Sequence, residues 1–169
     1  CNFPHLDTNL LSGFTSLKNL KIELAKIESI KFSRNLSNLH TLILSSNRIK
    51  RFDSTILILS GLKSLDLSCG YFEPTPNMFM GLDHLERLNL SFCRGFGEIF
   101  ENMFHGLHNL IDLNMSCCRL IRIHTDAFSH TPKLRKLNLS FNSLRLDNTG
   151  VLRHLTQLKV LELAFTQVQ

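Results

Sequence analysis

The sequence contains no tryptophan and one tyrosine, and no apolar run in it approaches the roughly 18 residues that span a bilayer. Charge clusters are missing as well, because the lysines and arginines that give a formal net charge of +5 are scattered along the chain. These absences argue against a membrane span and against a surface specialised for nucleic acid, which needs basic residues gathered on one face. Residues 1–10 also lack the basic start and apolar run of a secretory signal.

Motifs that carry catalysis are missing too. The chain has no G-x-S-x-G, no glycine loop of the kind that binds phosphate and no H-E-x-x-H. Its five cysteines form no C-x-x-C, and His105-x-x-His108 has no evident third ligand. We therefore expect a protein that is not an enzyme and that holds neither a metal nor a cofactor.

A pattern of leucines recurs along the whole chain. Residues 134–144 read LRKLNLSFNSL and fit the form L-x-x-L-x-L-x-x-N-x-L. Copies of this motif begin at Leu17, Leu39, Leu62, Leu85, Leu110, Leu134 and Leu158. Successive copies are 22, 23, 23, 25, 24 and 24 residues apart, and this spacing is typical of leucine-rich repeats.

The motif predicts a short strand followed by a turn in each repeat. Alternation along a strand points Leu137 and Leu139 inward, and an inward Asn142 satisfies backbone groups where the chain turns. One repeat cannot bury its leucines alone, so neighbouring repeats stack around a shared core. We predict an α/β leucine-rich repeat solenoid, with a parallel β-sheet on its concave face and loops and short helical turns on its convex face.

Residues 1–169 are predicted to form one segment of about seven repeats, with a partial repeat at 1–16. Neither end carries a cap, which favours a segment of a longer solenoid. The fourth repeat is the longest, and its glycines Gly95 and Gly97 predict a local bulge. Phe79, Phe104 and Phe128 occupy one slot in consecutive repeats and should stack as a buried column behind the sheet.

The asparagine slot is kept at Asn47 and Asn142, and cysteine replaces it at Cys93 and Cys118. These two cysteines lie on adjacent coils, which leaves two interpretations open, a pair of buried thiols or a disulfide. Cys69 and Cys117 are two coils apart, about 10 Å, which is too far for a direct disulfide. Cys1 is free to pair with a residue outside the segment.

Two outward columns flank the asparagine slot and suggest a binding surface. The position before the slot carries Phe92, Cys117, Phe141 and Phe165, and the position after it carries Arg94 and Arg119. Aromatic and arginine side chains anchor many protein interfaces. These six residues are therefore the candidate partner-binding site, and the alternative is that the rings pack against the rim of the core.

Four N-x-S sequons begin at Asn35, Asn89, Asn114 and Asn138. Each is a possible glycan site in a secreted protein. Asn89, Asn114 and Asn138 share one outward position on the predicted sheet, where glycans would cover much of the concave face. The other interpretation is that L-N-L-S is a common form of the repeat and carries no glycan.

The repeats resemble those of vertebrate Toll-like receptor ectodomains over essentially the whole chain. The resemblance is carried by L-x-x-L-x-L-S-x-N/C and by F-x-G-L at residues 79–82 and 104–107. Residues 85–144 are similar to later repeats of the lipopolysaccharide-sensing subgroup. The resemblance implies an innate immune receptor of type I membrane topology, with this segment outside the plasma membrane and not itself in contact with it. It also implies a microbial ligand or accessory protein as partner, and signalling through receptor homo- or heterodimers.

Two other classes remain open. One is a different extracellular leucine-rich repeat protein, such as a matrix proteoglycan core or a variable lymphocyte receptor, which its flanking caps would reveal. The other is a nucleic-acid-sensing receptor in the endosome lumen, which the basic charge balance and the eight histidines support only weakly. Nucleic acid is therefore a partner that we consider but do not favour.

Overall fold

The computed structural model of the protein describes residues 4–144 and 150–166. The strands in these ranges are β1 (His5–Asp7), β2 (Asn19–Lys21), β3 (Ser29–Lys31), β4 (Thr41–Ile43), β5 (Ser64–Asp66), β6 (Arg87–Asn89), β7 (Glu98–Ile99), β8 (Asp112–Asn114), β9 (Arg122–Ile123), β10 (Lys136–Asn138) and β11 (Val160–Glu162). Three 3-10 helices, Thr8–Leu11, Arg34–Leu36 and Ser54–Leu59, lie in connections between strands. All elements are short, as expected for a chain that changes direction several times in each repeat.

Seven strands form one parallel sheet in the order β2-β4-β5-β6-β8-β10-β11. The register aligns the central leucine of every motif, from Leu20 pairing with Leu42 to Leu137 pairing with Leu161. Residues on either side of each leucine face outward, so the leucines of neighbouring coils share one core. The predicted leucine-rich repeat solenoid with a parallel sheet is confirmed.

Two aromatic columns run through the interior behind this sheet. Phe79, Phe104 and Phe128 are fully buried, with ring centroids 6.4 and 5.8 Å apart and nearly parallel rings, which confirms the predicted column. A second column, absent from the sequence prediction, has centroid separations of 6.4 Å at each step; it consists of Phe32, Phe52, Phe72 and Phe96. This second column lies near two small parallel sheets, β1-β3 and β7-β9, which follow the turn after the main sheet.

The buried asparagine closes the turn that follows the strand. The Asn142 Oδ1 accepts hydrogen bonds from the backbone N–H groups of Cys118 and Leu120 at 2.9 and 3.0 Å. Its Nδ2 donates to the carbonyls of Met115 and Leu139, both at 2.9 Å. One side chain therefore links two coils by satisfying backbone groups that water does not reach.

Cysteine performs part of this role where asparagine is replaced. The thiols of Cys93 and Cys118 donate to the carbonyls of Leu67 and Leu90 at 3.1 and 3.0 Å, and burial raises the pKa of both thiols to about 12. Both are free thiols, so the first interpretation is confirmed and the disulfide alternative is wrong. Cys1 lies outside the described residues.

The longest repeat bends at Gly95, as the sequence predicted. Its φ of +104° lies in a region that favours glycine, and an added Cβ would stand 1.8 Å from the carbonyl oxygen of Phe72. The chain therefore passes directly over the preceding coil at this point, before β7 begins. Only a residue without a side chain fits there.

Candidate lateral binding site

The turn from the sheet onto the side of the solenoid has the same backbone conformation in seven coils. The residue before the asparagine slot has a positive φ between 52° and 58° at Leu24, Ser46, Cys69, Phe92, Cys117, Phe141 and Phe165. This left-handed conformation costs a residue with a side chain roughly 1–2 kcal/mol. It directs the side chain away from the core, so the residue type at this position is free of packing requirements.

Four of these residues form what we call the aromatic stripe: Phe92, Cys117, Phe141 and Phe165. The three rings are 58%, 54% and 83% exposed, and Cys117 is half-buried between the first two. The rings of Phe141 and Phe165 stack with centroids 5.1 Å apart. The stripe thus lies on the surface rather than against the rim of the core, and a groove of about 560 Å³ runs between it and the concave residues Asn138 and Glu162.

An arginine column, defined as Arg48, Arg94 and Arg119, stands beside the stripe. These exposed side chains line a lateral cleft of about 620 Å³ together with Tyr71 and Phe92, and no carboxylate lines it. Within residues 4–144 and 150–166, no hydrogen bond or ion pair engages any of the three guanidinium groups. The sequence prediction included Arg94 and Arg119 but not Arg48 or Tyr71, although all four occupy the same column.

Polar groups on the concave face, in contrast, engage one another. The Asn89 Nδ2 donates to a carboxylate oxygen of Asp66 at 3.0 Å, and Lys136 pairs with Glu162 at 3.4 Å. Lys21 pairs with Glu23 at 2.7 Å, and this contact together with a hydrogen bond from Ser45 lowers the pKa of Glu23. Several polar groups of the concave face are therefore paired within the chain, whereas the three guanidinium groups of the arginine column are not.

The sequon asparagines lie where the repeat pattern places them. Asn89, Asn114 and Asn138 align across β6, β8 and β10, and each side-chain oxygen accepts from the backbone N–H two residues later at 2.9–3.1 Å. The Nδ2 of Asn138 also donates to Glu162. Asn35 is half-buried within the 3-10 helix Arg34–Leu36. Glycosylation at the four positions stays a prediction.

Histidines gather behind the sheet rather than on the flank. The ring of His130 lies 4.4 Å from that of His105 and 5.9 Å from that of His108, measured between centroids. Desolvation, together with these two neighbours, lowers the pKa of His130. In the described part of the chain, no group of three histidine, cysteine or acidic residues is arranged to hold a metal ion.

Among residues 4–144 and 150–166, no helix has the length and apolar content needed to cross a bilayer.

Comparison with protein families identifies the repeat. Segments 37–94, 83–144 and 108–168 match the family described as leucine rich repeat, and together they cover more than half of the chain. The chain belongs to the leucine-rich repeat family. No curated protein sequence matches it.

Toll-like receptor ectodomains are among the solved structures on which this leucine-rich repeat chain superposes. It superposes on a chain from the crystal structure of the TLR13–ssRNA13 complex with a TM-score of 0.89 and 25% identity, covering 100% of this chain and 24% of that one. It also superposes on a chain from the mouse RP105/MD-1 complex with a TM-score of 0.68 and 24% identity, covering 98% of this chain and 33% of that one. The predicted resemblance to Toll-like receptor ectodomains is confirmed, and the chain spans a quarter to a third of the length of these two relatives.

Proposed function

We propose that this chain is the ligand- and partner-binding segment of an innate immune pattern-recognition receptor ectodomain. In this proposal the ectodomain lies on the extracellular side of the plasma membrane, and binding of a microbial ligand or accessory protein brings two receptors together. The relatives support binding of this general kind, since one was solved with ssRNA13 and the other with MD-1. The binding surface that we assign is the lateral flank, formed by the aromatic stripe and the arginine column.

One observation carries this assignment: large aromatic rings are exposed at positions where the fold does not require them. The left-handed backbone of the turn accepts Ser46 in one coil and Cys69 in the next, so the conformation itself does not call for phenylalanine. Exposed rings raise the free energy of the protein in water, and clusters of them on a surface mark interaction sites. Phe92 and Phe141, which lie in coils with neighbours on both sides, are therefore best explained by a partner that covers them.

The test is ligand-driven dimerisation of the ectodomain that contains this segment, measured by sedimentation velocity. Lipopolysaccharide, a bacterial lipopeptide and single-stranded RNA serve as probes. We expect Phe141→Glu and Arg119→Glu each to abolish the dimer that the active probe induces, because each places a carboxylate on the flank. Met80→Glu is the matched control, since Met80 is 54% exposed behind the sheet, away from the stripe, and should tolerate the charge. If both flank variants fold and dimerise as well as the parent, the lateral flank is not the binding surface.

Nucleic acid is a second candidate ligand, in a receptor of the endosome lumen. It is favoured by the three unpaired guanidinium groups beside exposed aromatic rings, since single strands bind where cations and stacking surfaces alternate. Binding of an RNA oligonucleotide to the flank should then weaken steeply as the salt concentration rises. Affinity that is independent of salt would exclude this candidate.

A further inference from the structure

We propose that the lateral cleft binds an extended acidic segment of a partner protein, in which carboxylates alternate with apolar side chains. This inference rests on the proposed function of the flank and names the chemistry of what binds there. It starts from two features that lie next to each other on one side of the solenoid. These are guanidinium groups with no ion pair and aromatic rings that are exposed to solvent.

Charge within the cleft selects an anionic partner. Some exposed cations of the described chain pair with carboxylates, as in Lys50–Glu73, Lys63–Glu86 and Arg153–Asp126. No carboxylate lines the cleft that Arg48, Arg94 and Arg119 share, although arginine is the cation that most readily forms paired hydrogen bonds with a carboxylate. Guanidinium is also weakly hydrated, so it loses little when an interface excludes water.

Geometry selects an extended peptide with mixed side chains. Coils of a parallel sheet are about 4.8 Å apart, so three steps separate Arg48 from Arg119 by about 14 Å, which about four extended residues span. The aromatic stripe continues for two more coils to Phe165, and the rings are held by a backbone turn that repeats with nearly constant φ. A segment of about seven residues therefore spans the flank, and alternation along it directs carboxylates to the arginine column and apolar side chains to the aromatic stripe beside it.

A second copy of this chain does not fit the cleft. An isologous pair would bring the same surface of both copies together, and the cleft has no carboxylate to neutralise the arginines of the other copy. Placing two such positively charged clefts in one interface is unfavourable. An acidic partner supplies the carboxylates that a second copy of the cleft lacks.

A phosphodiester chain fits less well than an acidic peptide. Asp66 and Asp112 stand on β5 and β8, the strands that lead into the cleft, so a polyanion that extends beyond the cleft meets carboxylates on the concave face. Three guanidinium groups match two or three carboxylates, whereas every nucleotide adds another charge. Apolar side chains also suit the stripe, because Cys117 between the rings offers a soft surface and no stacking partner.

The experiment measures binding of a fluorescent twelve-residue peptide of alternating glutamate and leucine by anisotropy, with the glutamine–leucine peptide and a twelve-nucleotide single strand as comparisons. We expect the acidic peptide to bind and the glutamine peptide to bind at least tenfold more weakly. The double variant Arg94→Glu/Arg119→Glu should weaken acidic-peptide binding by about tenfold or more. Lys18→Glu/Lys159→Glu is its matched control, because it changes the net charge equally at exposed positions off the flank, and it should change affinity less than about twofold.

Three results would overturn the inference. They are equal binding of the glutamine peptide, equal weakening by the two double variants, and tighter arginine-dependent binding of the single strand, which would assign the cleft to nucleic acid. Failure here is distinct from failure of the proposed function. If the peptide does not bind but Phe141→Glu still abolishes ligand-driven dimerisation, the flank remains the binding surface and only the acidic segment is wrong.

Discussion

Phenylalanine occupies two opposite environments in this chain. Phe104 lies at the centre of a stacked column with no exposed surface, whereas Phe92 and Phe141 are more than half exposed on the lateral flank. Both sets recur at whole multiples of the repeat length. The same residue type at a regular interval thus contributes to the core in one slot and, in our account, to recognition in the other.

Backbone conformation explains the difference. The convex slot faces the interior shared by neighbouring coils, so a large ring there replaces water with packed neighbours. The flank slot has a positive φ that points its side chain outward, and a ring there gains little from the fold. Substitutions in the convex column should therefore reduce stability. Substitutions on the flank should reduce binding and leave stability nearly unchanged.

The largest expected effect is on the convex column. Phe104→Ala should lower the free energy of unfolding by about 4 kcal/mol, because it opens a cavity between two stacked rings. Urea denaturation measures the change, and Phe92→Ala is the control, expected within about 1 kcal/mol of the parent. Equal losses of unfolding free energy in Phe104→Ala and Phe92→Ala would contradict this distinction, because both rings would then contribute to the core.

A sharper contrast uses adjacent residues on the turn itself. Asn142→Ala should destabilise the chain by about 3 kcal/mol, since it leaves the buried N–H groups of Cys118 and Leu120 without an acceptor. Phe141→Ser, one residue earlier, should leave stability nearly unchanged and remove binding. Denaturation curves that shift alike for both would mean that the exposed ring supports the turn.

The convex side should also be the side that responds to mild acid. The pKa of His130 is lowered in the fold by desolvation and by His105 and His108, with Glu101 acting in the opposite direction. The unfolded chain therefore takes up a proton at higher pH than the folded one, and stability should fall as pH drops below about 6.5.

His130→Gln should make that fall smaller, measured as the urea midpoint at pH 7.5 and pH 5.5. His40→Gln, at a histidine that hydrogen-bonds the carbonyl of Asn38 away from the cluster, is the control. An unchanged pH dependence in His130→Gln would show that the cluster does not titrate with folding.

The smallest expected effect is on the backbone of the flank. Phe92→Gly should leave stability unchanged or raise it by up to about 1 kcal/mol, because glycine adopts a φ of 58° without strain. Thermal unfolding measures this change, and Phe79→Gly on the convex column is the matched control, expected to destabilise strongly. Clear destabilisation by Phe92→Gly would assign the ring a packing role.

Much of this architecture could be predicted from the spacing of residues. The aligned leucines, the stacked Phe79, Phe104 and Phe128 and the buried thiols of Cys93 and Cys118 each follow from one slot repeated at a constant offset. The second aromatic column could not, because Phe32, Phe52, Phe72 and Phe96 lie at different offsets from their strands. Loops of unequal length bring them together, and only coordinates reveal that.

The candidate site, too, was predictable from the sequence only in part. The stripe residues share one offset, so the sequence placed Phe92, Cys117, Phe141 and Phe165 on one surface. Whether the rings were exposed was undecidable from the pattern, since exposure depends on the left-handed turn. The absence of carboxylates from the lining of the lateral cleft depends on side chains from several coils, so no periodic pattern in the sequence predicts it.

The most direct test is to replace every ring of the aromatic stripe at once and measure folding and binding on the same sample. The triple variant Phe92→Ser, Phe141→Ser, Phe165→Ser keeps the residue type found naturally at Ser46. We predict a free energy of unfolding within about 1 kcal/mol of the parent, together with loss of ligand-driven dimerisation. A triple variant that unfolds as readily as Phe104→Ala, or that folds and dimerises normally, would contradict the account.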